Sequence, residues 1–190
     1  MNSYDFDQTI FYPDSSYSFV MFCLRHYPRA VLKALPATAI SGFRLWRKQA
    51  DTKELKEKIF SFLPWIDDVE RVVEEFWQAH RGNLAPWYLQ QKRSDDVIIS
   101  ASPEFLLRPI CEELGVRLIA TRMDPYPGKI QGLNCHDSEK VRRFREAFPD
   151  LVPERFYSDS EADAPMAAFA RHAFRVRKGS VRPWASPAED

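Results

Sequence analysis

Two rhythms of apolar and polar positions run along this chain, and the change between them falls near residue 95. Before it, apolar residues recur three and four apart, as on one face of a helix. Phe19, Phe22, Cys23, His26 and Tyr27 form one such stripe, ended by Pro28. A second helical run covers Ala30 to Ala34, is interrupted at Pro36 and resumes from Ala39 to Trp46. Ile59, Phe60 and Leu63 follow Thr52 and Leu55, and Val69, Val72, Val73, Phe76 and Trp77 mark a last helix within Trp65 to His80. Their aromatic residues read most simply as core.

From Asp95 onward short apolar runs alternate with helical stretches. Val97 to Ser100 is an apolar run bounded by charge, the pattern of a strand buried on both faces. Pro103 to Leu114 reads as a helix with proline in its first turn and Gly115 closing it. Val116 to Thr121 is a second strand, and Met123 to Leu133 suggests a hairpin around Pro125, Pro127 and Gly128. Asp137 to Phe148 is a helix capped by Asp137 or Ser138. Phe156 to Ser158 is a third strand, Ala164 to Ala170 a helix and Ala173 to Val176 a last strand, with a mobile tail expected over Pro183 to Asp190. Ser3 to Phe6, at the other end, is a short strand of the same kind.

This alternation predicts an α/β fold, a parallel sheet with helices on both faces. The first strand belongs to that sheet, so the helical group interrupts it. The predicted division is a core of residues 1–12 and 84–190 and an all-helical cap of residues 13–83, inserted after the first strand. With 27 basic and 27 acidic residues among 190, no charge field argues for nucleic acid or an anionic membrane. Cys23, Cys111 and Cys135 are widely spaced, without metal or redox spacing, and read as reduced thiols. No apolar run reaches transmembrane length and no export signal opens the chain, so a cytoplasmic protein is expected.

The chemistry is concentrated at the predicted strand ends. Asp5 and Asp7 stand two residues apart where the first strand stops, with Thr9 two further on. Carboxylates that close repel unless one is protonated or a cation lies between them. As a structural motif, such a pair is a solvated turn or a helix cap. Ser100 ends the apolar run, with Ser102 as an alternative hydroxyl. Lys140 lies early in a helix, where it is otherwise one more solvated lysine. Asp159 and Asp163 follow a strand, where they are otherwise loop acids or caps. In doubly wound sheets the carboxyl ends of strands lie along one edge, where ligands bind. His136 reads as structural and is not assigned.

The segments Tyr4-Asp-Phe-Asp-Gln-Thr9, Val97-Ile-Ile-Ser100, Cys135-His-Asp-Ser-Glu-Lys140-Val141 and Tyr157-Ser-Asp-Ser-Glu-Ala-Asp163 occur in one order from end to end of the chain. In this the chain resembles the haloacid dehalogenase superfamily of phosphohydrolases, in its phosphoserine-phosphatase-like branch. The resemblance implies a Rossmann-like three-layer core beneath the helical cap and a Mg²⁺-dependent phosphomonoesterase acting on a small phosphorylated metabolite. It implies Asp5 as nucleophile, forming an aspartyl-phosphate, and Asp7 as general acid and base. Thr9, Ser100 and Lys140 are the implied phosphate-site residues. Asp5, Asp159, Asp163 and Asp7, the last through its carbonyl, are the implied Mg²⁺ site. Asp14 stands where the branch places a glutamate for the substrate amino group, and Arg44 and Arg47 are candidates for its carboxylate. A phosphotransferase of the same fold and a non-catalytic phospho-ligand binding protein are the alternatives, and the chain is expected as a monomer or homodimer. A phosphoacceptor signalling domain shares the Asp, Mg²⁺ and Lys but lacks an acid at the position of Asp7.

Overall fold

The shortest strand holds the middle of the sheet. The structure, a computed structural model, describes residues 1–33 and 52–184. Its strands are β1 (Ser3–Tyr4), β2 (Val97–Pro103), β3 (Arg117–Thr121), β4 (Met123–Asp124), β5 (Lys129–Ile130), β6 (Arg155–Ser158), β7 (His172–Arg177) and β8 (Ser180–Pro183). The helices are α1 (Ser15–His26), α2 (Thr52–Ile59), α3 (Val69–His80), α4 (Pro86–Gln91), α5 (Glu104–Leu114), α6 (Ser138–Ala147) and α7 (Ala164–Phe169), with residues 28–33 also helical. The main sheet runs β3-β2-β1-β6-β7-β8, parallel except for the last pair. β4 and β5 form the antiparallel hairpin expected from the prolines and Gly128.

Neighbouring residues in the central strands feed different cores, which is why these strands are continuously apolar. Ile98 and Tyr157 join the large cluster on one face, Ile99 and Phe156 the smaller one on the other. On the first face α5 covers the sheet with Leu107 and Ile110, and α3 packs outside it. On the second, Phe144 of α6 and Met166 of α7 fill the space. Tyr4, Tyr157 and Phe174 are register partners on β1, β6 and β7, and their rings stack with centroids 4.8 and 5.0 Å apart.

Between β1 and β2 the described regular elements are helices: α1, α2 and α3 follow the predicted rhythm, and α4 is an additional short helix that the rhythm did not mark. They share the large core: Phe19, Phe76 and Trp77 pack with Phe6 and Phe11, and the Trp77 indole donates to the Leu106 carbonyl at 2.6 Å. The turn at Gly128 lies against the chain leaving α2. Its φ is +62°, and a Cβ there would stand 2.9 Å from the Phe60 carbonyl oxygen.

The boundaries differ from expectation in instructive places. β1 stops at Tyr4 because the Phe6 carbonyl accepts from the amides of Thr9, Ile10 and Phe11, which turns the chain. The helix expected from Trp65 starts at Val69, where Asp68 caps the amide of Arg71. Pro183 belongs to β8, not to a loose tail. Lys178 and Gly179, with φ of 48° and 80°, make the tight turn that folds β8 back on β7. Residues 185–190 lie outside the described residues. Among the described residues no helix is long and apolar enough to cross a membrane.

Candidate active site

The carboxyl ends of β1, β2 and β6 and the first turns of α1 and α6 meet at one cleft of about 700 Å³. Its floor is built first by the turn after β1. The Asp5 amide donates to the Tyr157 carbonyl at 2.9 Å, so Asp5 still follows the sheet although its strand has ended. Gln8, with φ of 58°, takes the left-handed conformation that sends the chain back. That return buries Thr9 fully beneath the acids. The Thr9 hydroxyl lies 3.4 Å from Asp5 Oδ2 and 3.3 Å from Asp159 Oδ1, and accepts from the Asp159 amide at 3.0 Å.

Lys140 arrives from the first turn of α6, which Asp137 caps by accepting from the Ser138 amide. Only 2 % of Lys140 is exposed, and its Nζ donates to Asp5 Oδ1 at 2.6 Å and to the Asp163 carboxylate at 2.8 Å. Asp163 also accepts from the Ser158 hydroxyl at 2.6 Å. Asp163 is thereby engaged with Lys140 and Ser158. Burial alone would discharge the ammonium, but the two carboxylates beside it raise its pKa and hold it charged. Burial raises the Asp5 carboxyl to about 7 against the pull of Lys140, with the nearby Asp163 adding to the rise.

Asp7 makes a second, separate set of bonds. It accepts from the Ser15 amide at 2.6 Å and the Ser102 hydroxyl at 2.5 Å. Ser102 lies beside the hydroxyls of Ser15 and Ser16, and its amide donates to Ser100 Oγ at 3.0 Å. Burial, with Asp14 as a like charge nearby, raises the Asp7 carboxyl to about 6. Ser100 and Ser102, the two alternatives, therefore both line the cleft, and it is Ser102 that holds Asp7.

The substrate residues divide differently. Asp14 lines the cleft as the cap of α1, accepting from the Tyr17 amide at 2.8 Å. Arg44 and Arg47 lie outside the described residues. Lys56, which spacing did not single out, reaches into the cleft from α2. Its Nζ donates to the Ala101 carbonyl at 2.7 Å and to Asn134 Oδ1 at 2.9 Å, and burial lowers its pKa. Only its place in the α2 sequence between Leu55 and Ile59 hinted at an inward position. His136 also lines the cleft.

The donor set fits a hard divalent cation. Asp5 and Asp159 bring carboxylate oxygens to the same hydroxyl, and burial raises the Asp159 carboxyl. Among the described residues no cluster of three or more His, Cys, Asp or Glu side chains would close around a metal by itself. A cation here would need backbone, water or substrate oxygens as well, which is how Mg²⁺ is usually held. In the structure Asp163 accepts from Lys140 and Ser158, and the Asp7 carboxylate from Ser102 and the Ser15 amide.

Known proteins share this arrangement of chain. A family model described as haloacid dehalogenase-like hydrolase matches residues 3–168. Protein CicA of Caulobacter vibrioides is 30 % identical over 195 aligned positions, covering 93 % of this chain and 86 % of that protein. A solved structure of a protein of unknown function from Bordetella pertussis Tohama I superposes with a TM-score of 0.76 at 24 % identity, covering 91 % of this chain and 87 % of that one. A phosphoserine phosphohydrolase-like protein from Francisella tularensis superposes with a TM-score of 0.56 at 15 % identity, covering 91 % and 86 %.

Proposed function

The chain belongs to the haloacid dehalogenase-like hydrolase family, and on that premise we propose that it is a Mg²⁺-dependent phosphomonoesterase working through a phosphorylated Asp5. One observation carries the reading. A buried ammonium, Lys140, joins Asp5 to Asp163, while Asp7, two residues on, is held apart by Ser102 and the Ser15 amide. Two neighbouring carboxyls with different partners suit two different tasks.

In the first step an Asp5 oxygen attacks phosphorus and the bond from phosphorus to the alcohol oxygen breaks, leaving an aspartyl-phosphate. Asp7 gives its proton to the departing alkoxide. In the second, Asp7 takes a proton from water, which attacks phosphorus and releases inorganic phosphate and free Asp5. Lys140 offsets the charge shared by Asp5 and the phosphoryl group, and Ser100 donates to a phosphoryl oxygen. Thr9 keeps Asp5 and Asp159 in register. Asp5, Asp159 and the Asp7 carbonyl would hold Mg²⁺, which supplies further charge neutralisation to the phosphate. Phosphoryl transfer needs mainly such positioning and compensation. Residues 13–83 serve as the cap over this floor. The reaction class agrees with the name of the Francisella relative.

The test is phosphate release from a panel of phosphomonoesters, with Mg²⁺ and with chelator. Release is expected with Mg²⁺ alone, and Asp5→Asn should lower it by at least about 10³-fold with unchanged circular dichroism. Folded protein that releases no phosphate with Mg²⁺, or Asp5→Asn at full rate, would overturn the proposal.

A further inference from the structure

We infer that the cap side of the cleft is a subsite for an apolar leaving group, so that the preferred esters are phosphates of alkyl or ring alcohols of several carbons; this rests on the phosphatase reading above. α1 carries Tyr17 and Val20 three residues apart, and α2 carries Leu55 and Ile59 four apart, each pair on one helical face. Both pairs line the same cleft as Asp5 and Lys140, with the buried Phe60 behind them. Val20 and Ile59 pack against the core on one side, yet remain partly exposed to the cleft on the other. Tyr17 is 61 % exposed. This is apolar surface turned toward the position a leaving group would take from Asp5.

Among the described residues, the cation that lines that side of the cleft, Lys56, is already engaged. Lys56 sits between Leu55 and Ile59 in sequence, but its ammonium is drawn to the Ala101 carbonyl and Asn134. Asp14 accepts from the Tyr17 amide. A zwitterionic leaving group would compete with the Lys56 bonds and bring two charges against Val20, Leu55 and Ile59, which is costly without new partners. An alkyl group loses only water there, and gains by it. The cleft's roughly 700 Å³ falls in the range of a small-molecule site, with room beyond the phosphate itself.

The probe is a series of n-alkyl phosphates from ethyl to hexyl, with O-phosphoserine beside them, assayed with Mg²⁺ on the full chain. Alkyl alcohols leave with similar intrinsic ease, so chain length reports the subsite. kcat/KM should climb roughly three- to fourfold per added methylene until the wall is covered, and O-phosphoserine should fall below the butyl ester. Leu55→Ser and, on the other helix, Val20→Ser should each lower the hexyl-to-ethyl ratio about fivefold. A ratio within one variant is indifferent to how much of it folds. A flat or falling series, or unchanged ratios in both variants, would overturn the subsite and leave the phosphatase reading standing. No release from any ester would take down both.

Discussion

The floor and the cap-side wall of the cleft are made on different terms. The floor takes Asp5, Lys140 and Asp163 out of water and leaves Asp7 half-buried, and each has named partners at hydrogen-bond distance. The wall is Tyr17, Val20, Leu55 and Ile59, half-wet and held by shape, with Lys56 as its polar tie to the core. Buried charge tolerates no missing partner, whereas apolar surface tolerates exchange. A family can therefore keep one reaction on such a floor while the wall varies with substrate.

The most severe way to break this contrast is Lys140→Met. It leaves Asp5 and Asp163 buried without their shared cation, and should lower unfolding free energy by about 3–5 kcal/mol in denaturant titration. A loss under about 1 kcal/mol would mean the floor is no more demanding than the wall. Lys56→Met should cost only about 1 kcal/mol, because the Thr121 hydroxyl, 2.7 Å away, still serves the Ala101 carbonyl. Its distinguishing mark is faster amide exchange confined to α2, and uniform exchange across the chain would contradict the role as a tie. The smallest effect lies just outside the floor. Arg142, and Arg143 behind it, hold the Glu139 carboxyl down at about 2, against an ordinary 4.5. A depressed folded value means stability present above 4.5 and lost as pH falls toward 2. Glu139→Gln keeps one acceptor oxygen for the guanidiniums and should therefore be less stable than the parent at neutral pH by about 1 kcal/mol. That gap should close between those two values, and a gap that persisted in acid would rule the ion pairs out as its source.

Local patterns made most of the fold legible. The continuous run Val97-Ile98-Ile99 announced a strand buried on both faces, and Gly115 at φ +68° ends α5 where its helix signal stops. β8 was not legible, because Lys178-Gly179 is not among the dipeptides that usually mark a tight hairpin. Within the site, Asp5, Asp7, Thr9, Ser100, Lys140 and Asp159 do line or underlie one cleft. What escaped were the relations: Ser102 on Asp7, Ser158 on Asp163, and Lys56 as part of the cleft at all.

By itself the sequence determined which residues stand near the carboxyl ends of the central strands, since helical and strand periods are properties of a few neighbouring positions. Asp5 two before Asp7, Ser100 closing an apolar run and Lys140 one turn into a helix are facts of that kind. Which of several equivalent acids receives the buried Lys140 ammonium was decided only by the tertiary structure. That choice is made between residues 135 and 23 positions apart in the chain, and depends on distances that no local period encodes.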